Sequence, residues 1–128
     1  MLLANPELIL NSCELRKPLV VENPEGAFRL FSGFREGFPS LVIDRFNHTL
    51  VLYDYSHNGD LPLEFLQEIT DQLEHIYPDV HTIIKKIRNS DQPELRKGIL
   101  ITGEKPDTWI REHRIRYSID LQMNQDAS

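Results

Sequence analysis

The residues best suited to chemistry in this 128-residue chain lie late, in Trp109-Ile110-Arg111-Glu112-His113-Arg114-Ile115-Arg116-Tyr117. Arg111, Arg114 and Arg116 place three guanidiniums close together, and each is a planar fork that meets phosphate oxygens two at a time. Trp109 and Tyr117 flank them, and basic groups interleaved with aromatics are a common way of holding single-stranded RNA. Side chains two apart share a face of a strand, so Arg114 and Arg116 are expected side by side, with Tyr117 opposite and Trp109 on a partner strand. The plainer reading of the same pattern is a charged, exposed face over a buried one.

No catalytic constellation accompanies them. His48, His57, His75, His81 and His113 stand singly, with no serine or carboxylate at motif spacing, and are expected at the surface. His75 falls in a last helical turn, where the negative end of the helix suits a partial positive charge. Cys13 is the only cysteine, which excludes an internal disulfide and suggests a reducing compartment. Walker, dinucleotide-binding, HExxH and CxxC patterns are missing. Gly33 and Gly37 open onto a strand rather than a helix, so a phosphate would meet no helix N-terminus there. No set of acidic and histidine residues has metal-ligand spacing.

The elements that must position the arginines read from composition and period. A hydrophobic fraction of 40% and a charged fraction of 27% are those of one globular domain. The net charge of −6 argues against a surface that binds nucleic acid all over. The charge is uneven: residues 1–80 carry −8, residues 81–117 carry +4 and the last eleven −2. A basic second half could focus a polyanion, or the two halves could be two differently solvated faces. No run of eighteen apolar residues and no basic-then-apolar leader is present, so neither a membrane span nor a signal peptide is expected, and the location is read as cytoplasmic.

Asn5-Pro6 reads as a helix start, Leu8, Ile9, Ser12 and Leu15 recur at helical spacing, and Pro18 stops the pattern. This segment, residues 1–23, is apolar enough to need a surface to lie on. Strands follow over 27–31, 41–46 and 49–55, the second and third joined through Asn47-His48 as an antiparallel hairpin. Between the first two, Gly33–Pro39 is a tight, shaped loop, and Asp44-Arg45 closes the second strand with paired charge. A long helix begins at Leu61-Pro62 with Asp60 as its cap and ends at Pro78. It buries Phe65, Leu66, Ile69, Leu73, Ile76 and Tyr77 and turns Glu64, Glu68, Asp71 and Glu74 to solvent. Strands over 80–87 and 98–103 flank a polar loop at 89–93, and 108–113 with 114–121 form a final hairpin. The fold class is α+β: a mixed or antiparallel sheet in the order strand-strand-strand-helix-strand-strand with one long helix packed on it, an N-terminal helical appendage and a C-terminal hairpin. Three units are expected, at 1–23, 24–107 and 108–128.

Certain motifs carry a resemblance. Gly33-x-x-x-Gly37-Phe38-Pro39-x-Leu41-Val42-Ile43-Asp44-Arg45-Phe46 resembles the signature that precedes the catalytic domain in class I S-adenosylmethionine-dependent methyltransferases acting on cytosine C5 of 23S ribosomal RNA. Arg88-x-x-Asp91 with Arg96-x-Gly98, and Glu112-x-x-Ile115-Arg116-Tyr117-x-Ile119-Asp120-Leu121 with Gln125, resemble later segments of that family in the same order. The resemblance spans roughly 26–128. It implies a substrate-presenting domain ahead of a Rossmann-like methyltransferase domain, with ribosomal RNA as partner and S-adenosylmethionine bound by the longer parent. Gln125 would be a cofactor contact there. Asp126-Ala127-Ser128 stands where the family has lysine, threonine and glycine, and His113-Arg114 where it has an asparagine-glycine turn. The chain stops ahead of the family's cofactor-binding glycine loop and catalytic cysteine, so by itself it is expected to be inactive. Homodimerisation stays open, as do two alternatives: a stand-alone protein-interaction module, and a methyltransferase domain serving a non-RNA substrate.

Overall fold

The computed structural model describes residues 6–122. Five strands form one sheet in the order β1 (Ala27–Phe31), β2 (Leu41–Phe46), β3 (Thr49–Asp54), β4 (Thr82–Ile87), β5 (Ile99–Thr102). β1, β2 and β3 run antiparallel in succession, and Phe46 pairs with Thr49 across the expected Asn47-His48 turn. Asn47 sits at φ 57°, in the left-handed region that asparagine tolerates. β4 lies parallel to β3, which demands a crossover, and the long helix α3 (Leu63–Ile76) supplies it. β5 returns antiparallel to β4 and ends the sheet.

The helix face is the main core. Phe65, Leu66, Ile69, Leu73 and Ile76 of α3 lie over Leu41, Ile43, Leu50, Leu52 and Ile83, as their spacing requires. The opposite face has a smaller cluster of Val51, Tyr53, Ile84 and Leu121. β3 is therefore buried on both sides, which is why Leu50-Val51-Leu52-Tyr53 runs apolar without alternation. The surface on which the first helix lies is α3 itself. Within α1 (Pro6–Leu15), Ile9 and Cys13 are fully buried, and the Tyr77 hydroxyl donates to the Cys13 carbonyl at 2.6 Å.

Several boundaries differ from the sequence reading. Pro18 does not end the helical segment: α2 (Lys17–Glu22) starts there with the proline in its first turn, where a missing N–H costs nothing. Pro93 does the same for α4 (Pro93–Lys97), a short helix where only a loop was expected. Asp60 makes no cap, because α3 begins at Leu63 with Pro62 in the cap position. Asp44 and Arg45 do not pair with each other, since adjacent strand residues face opposite ways. Asp44 binds Arg29 through two hydrogen bonds at 2.8 and 3.0 Å, and Arg45 turns to the helix side. Asn5 and Gln125 lie outside the described residues. Among the described residues no helix is long and apolar enough to cross a membrane.

Candidate nucleic-acid interface

The last two strands, β6 (Trp109–Glu112) and β7 (Ile115–Ser118), form a separate antiparallel hairpin. His113 and Arg114 are its turn, at φ 50° and 68°. A two-residue hairpin turn with both residues left-handed matches the twist of its strands and usually carries Asn-Gly; here two larger residues adopt it. This corrects the expected placement of Arg114, which is at the tip rather than beside Arg116 on a strand. The register instead sets Arg111 directly opposite Arg116 and Trp109 opposite Ser118. Trp109, Arg111 and Arg116 thus share one face. The Arg116 guanidinium carbon is 4.2 Å from the Trp109 ring centroid and that of Arg111 5.6 Å, so both cations lean on the indole. Arg111 also reaches Glu25 at 3.4 Å. Ile115 and Tyr117 face the other way, both exposed.

The two cross-strand cations repel, and the fixed backbone beneath keeps them together. The Arg111 N–H donates to the Glu25 carbonyl at 2.8 Å, and Asn23 Nδ2 donates to the Arg111 carbonyl at 3.1 Å. A Glu112 carboxylate oxygen accepts the Ala27 N–H at 2.9 Å, and Asn47 Nδ2 donates to the Trp109 carbonyl at 3.0 Å. At the hairpin's entry, Asp107 accepts the His48 N–H at 2.9 Å and the Thr49 hydroxyl at 2.8 Å, and its carboxylate lies 3.2 Å from His81 Nε2. Sequence reading missed Asp107, Asn47 and Glu112 because their partners are far away in the chain. Only the polar character of Asp107 beside a proline turn hinted at an anchoring role.

His48 and His81 are partners in this seam, their ring centroids 6.3 Å apart. His48 Nδ1 lies 3.3 Å from Asp79, and His81 Nδ1 lies 2.6 Å from the Thr82 hydroxyl. Among the described residues no three candidate ligands converge to hold a metal ion. Arg45 is fully buried beneath: it donates to both Asp79 oxygens, at 3.0 and 2.6 Å, and to the Pro24 carbonyl at 3.0 Å, with its guanidinium 5.4 Å from the Tyr77 ring centroid. The hydrogen bonds from Arg45 hold the Asp79 carboxyl below the usual carboxylate range, against a smaller opposing effect of burial.

The Gly33–Pro39 loop has a structural task. Gly33–Glu36 is one turn of 3₁₀ helix, and Gly33 has φ 64°. A Cβ there would stand 2.7 Å from the Leu41 carbonyl oxygen. The Glu36 carboxylate accepts the Ser32 N–H and the Ser12 hydroxyl, both at 2.5 Å, and pairs with Arg16 at 3.1 Å, tying the loop to α1. Burial works to raise the Glu36 pKa, but these donors outweigh it and the net shift is downward. The space at Gly33 is filled by the chain's own backbone and the loop feeds a strand. This loop therefore presents no open helix N-terminus to a phosphate.

No family model matches the chain. It is 31% identical over 101 residues to a protein named ribosomal RNA large subunit methyltransferase I from Escherichia coli O139:H28, covering 75% of this chain and 24% of that protein. The protein of that name from Erwinia tasmaniensis is 29% identical over 113 residues, covering 85% and 28%. The chain resembles one segment of a ribosomal RNA methyltransferase. It spans about a quarter of the length of these relatives. A structure from Streptococcus mutans, assigned as a SAM-dependent methyltransferase, superposes with a TM-score of 0.65 at 20% identity, over 90% of this chain and 29% of that one. SMU.776, assigned as a methyltransferase and solved with SAH, gives 0.71 at 20% identity, over 94% and 30%. The likeness read from the Gly33–Phe46 motif thus extends across most of the chain, and the α+β fold is shared with segments of larger methyltransferases.

Proposed function

We propose that this chain is the RNA-presenting domain of an S-adenosylmethionine-dependent methyltransferase that acts on ribosomal RNA, working in the cytoplasm. The observation that carries this reading is the single cationic face on which Arg111 and Arg116 flank Trp109, with Arg114 at the adjacent tip. An exposed guanidinium stacked on an indole offers a flat surface for a base and donors for a phosphate at once. The seam of hydrogen bonds to Asn23, Asn47, Glu112 and Asp107 fixes that face relative to the sheet, so RNA held there would have a defined direction. The names of the relatives support ribosomal RNA as the substrate class. Methyl transfer, the cofactor, the cofactor contact at Gln125, a catalytic domain and any homodimer belong to the longer parent protein in this reading.

The test is binding of a fluorescent single-stranded ribosomal RNA fragment to the 128-residue chain across a salt series. Three phosphate contacts give a log–log slope of about −2, or roughly twentyfold weaker binding between 50 and 200 mM salt. Each of Arg111→Gln, Arg114→Gln and Arg116→Gln should reduce the slope by about 0.7. A salt-independent affinity, or one unchanged in the triple variant, would refute the assignment and favour a protein-interaction module.

A further inference from the structure

Among the described residues a single carboxylate pairs with the arginines of the hairpin. Glu25 lies in the turn before β1 with Oε1 3.4 Å from Arg111 Nε, and the Arg111 and Glu25 side chains are 46 and 38% exposed. Arg114 and Arg116 pair with no carboxylate. The backbone under the pair is fixed. The Arg111 N–H donates to the Glu25 carbonyl at 2.8 Å, and a Cβ on the adjoining Gly26 would stand 2.5 Å from Asn23 Nδ2. The side-chain contact is loose, because 3.4 Å exceeds the usual N–H···O distance of about 2.7–3.2 Å. Two other acids near the same strands are committed elsewhere. Glu112 accepts the Ala27 N–H at 2.9 Å and Asn23 Nδ2 at 3.3 Å. Asp44, with its side chain 7% exposed, holds Arg29 through hydrogen bonds at 2.8 and 3.0 Å. Of these three, Glu25 alone combines an anchored backbone with a carboxylate that can be displaced.

We propose that Glu25 is a tethered competitor for RNA at Arg111: it occupies the guanidinium in the free protein and yields it to a phosphate when RNA binds. This rests on the RNA-presenting reading above and adds an autoinhibitory contact to that same face. The exchange favours the phosphate, because two of its oxygens can meet the planar fork at once, whereas Glu25 approaches one nitrogen at 3.4 Å. The phosphate is also delivered at high local concentration once Arg114 and Arg116 hold the same strand. Glu25 cannot drift away while displaced, since its carbonyl stays bonded to the Arg111 N–H. It therefore recaptures Arg111 as the phosphate leaves, and the domain releases RNA more readily than three uncontested arginines would.

The probe is a fluorescent ten-nucleotide oligouridylate, titrated across a salt series into the 128-residue chain and into Glu25→Gln, Arg111→Gln and the double variant. Glutamine keeps the size of the side chain at an exposed position, so the fold is retained. Glu25→Gln should tighten binding about two- to fivefold, the scale of an exposed ion pair. The salt slope should stay as in wild type, because the same phosphates are neutralised. In the Arg111→Gln background Glu25→Gln should lose most of that gain, which isolates the pair from the general field of one acid. No gain, or a gain that persists in full without Arg111, would overturn the proposal. So would a slope steeper by about 0.7 in Glu25→Gln, since Glu25 would then keep Arg111 away from RNA instead of yielding it. Failure of the RNA-presenting reading looks different, because the wild-type chain itself would then show no salt-dependent affinity, and both ideas would fall together.

Discussion

Asp79→Asn should destabilise the protein more than Arg45→Met, although the two residues are partners in the same ion pair. The asymmetry follows from where each group sits. The Arg45 side chain is 0% exposed and its guanidinium is held by Asp79, the Pro24 carbonyl and the Tyr77 ring, whereas the Asp79 side chain is 44% exposed. Removing the carboxylate charge strands a buried cation; breaking a buried pair in this way costs about 3–5 kcal/mol, which solvent access at Asp79 reduces to about 2 kcal/mol here. Removing the cation leaves a carboxylate that water can reach, and methionine fills most of the vacated volume, so Arg45→Met should cost about 1 kcal/mol. In urea, with a slope of about 1.5–2 kcal/mol per molar, the Asp79→Asn midpoint falls by about 1 M with an unchanged slope. The pH dependence follows from the direction of the Asp79 shift. Its folded-state pKa is depressed, so the pairing contributes fully above the unfolded carboxylate value and is lost as pH falls through the lower folded value. The gap between wild type and Asp79→Asn should therefore be constant near neutrality and close below about pH 4. Arg45→Met equal to or worse than Asp79→Asn, or a gap that widens in acid, would refute the reasoning.

Three further outcomes are expected. Gly33→Ala should cost about 2 kcal/mol in urea unfolding, from a left-handed alanine and its contact with the Leu41 carbonyl, while Gly37→Ala, at φ 95° but with only Leu8 within 4 Å, should cost about 1 kcal/mol. Asp107→Ala should remove the acceptor shared by His48, Thr49 and His81, cost about 2 kcal/mol and speed amide exchange in Trp109–Ser118 more than in the β2–β3 hairpin. Tyr77→Phe should cost about 1 kcal/mol by removing the shorter of two hydrogen bonds to the Cys13 carbonyl, which keeps the Arg16 N–H at 3.3 Å, read as a lower thermal midpoint with α1 amides exchanging faster.

Elements whose identity rests on local pattern were legible in the sequence. The 3.6-residue period of Phe65–Ile76 gave α3, and the two-residue Asn47-His48 connection gave the β2–β3 hairpin. The two missed helices share one cause. Pro18 reads as a stop and Pro93 as part of a polar loop, yet proline is well suited to open a helix, because its fixed φ is already helical and the N–H it lacks would have had no partner. Proline therefore marks a boundary without saying which side of it is helical.

The candidate site was legible in composition but not in arrangement. Arg111, Arg114, Arg116 and Trp109 could be picked from a nine-residue window, but the place of Arg114 depended on whether it belongs to the strand or to the turn. A direct join of 113 to 114 implies the same register, with Arg111 opposite Arg116; what the left-handed turn changes is Arg114, which leaves the Arg116 face for the tip. The anchors were out of reach for a different reason: Asp107 meets Thr49 across 58 residues and Glu112 meets Ala27 across 85, contacts that only the folded sheet creates. The charge asymmetry of the sequence survives folding as geometry. The acidic first part of the chain supplies the stripe of α3 beside β5, and the basic later part supplies the hairpin that is bonded to the 23–27 turn and β1. Because β1 and β5 are opposite edges of one sheet, surfaces of opposite charge lie at opposite ends. A net charge of −6 is thus compatible with a polyanion at one end, since within a Debye length of about 8 Å the potential that RNA meets is set by Arg111, Arg114 and Arg116 against the nearby Glu25 and Glu112, and not by the carboxylates of α3.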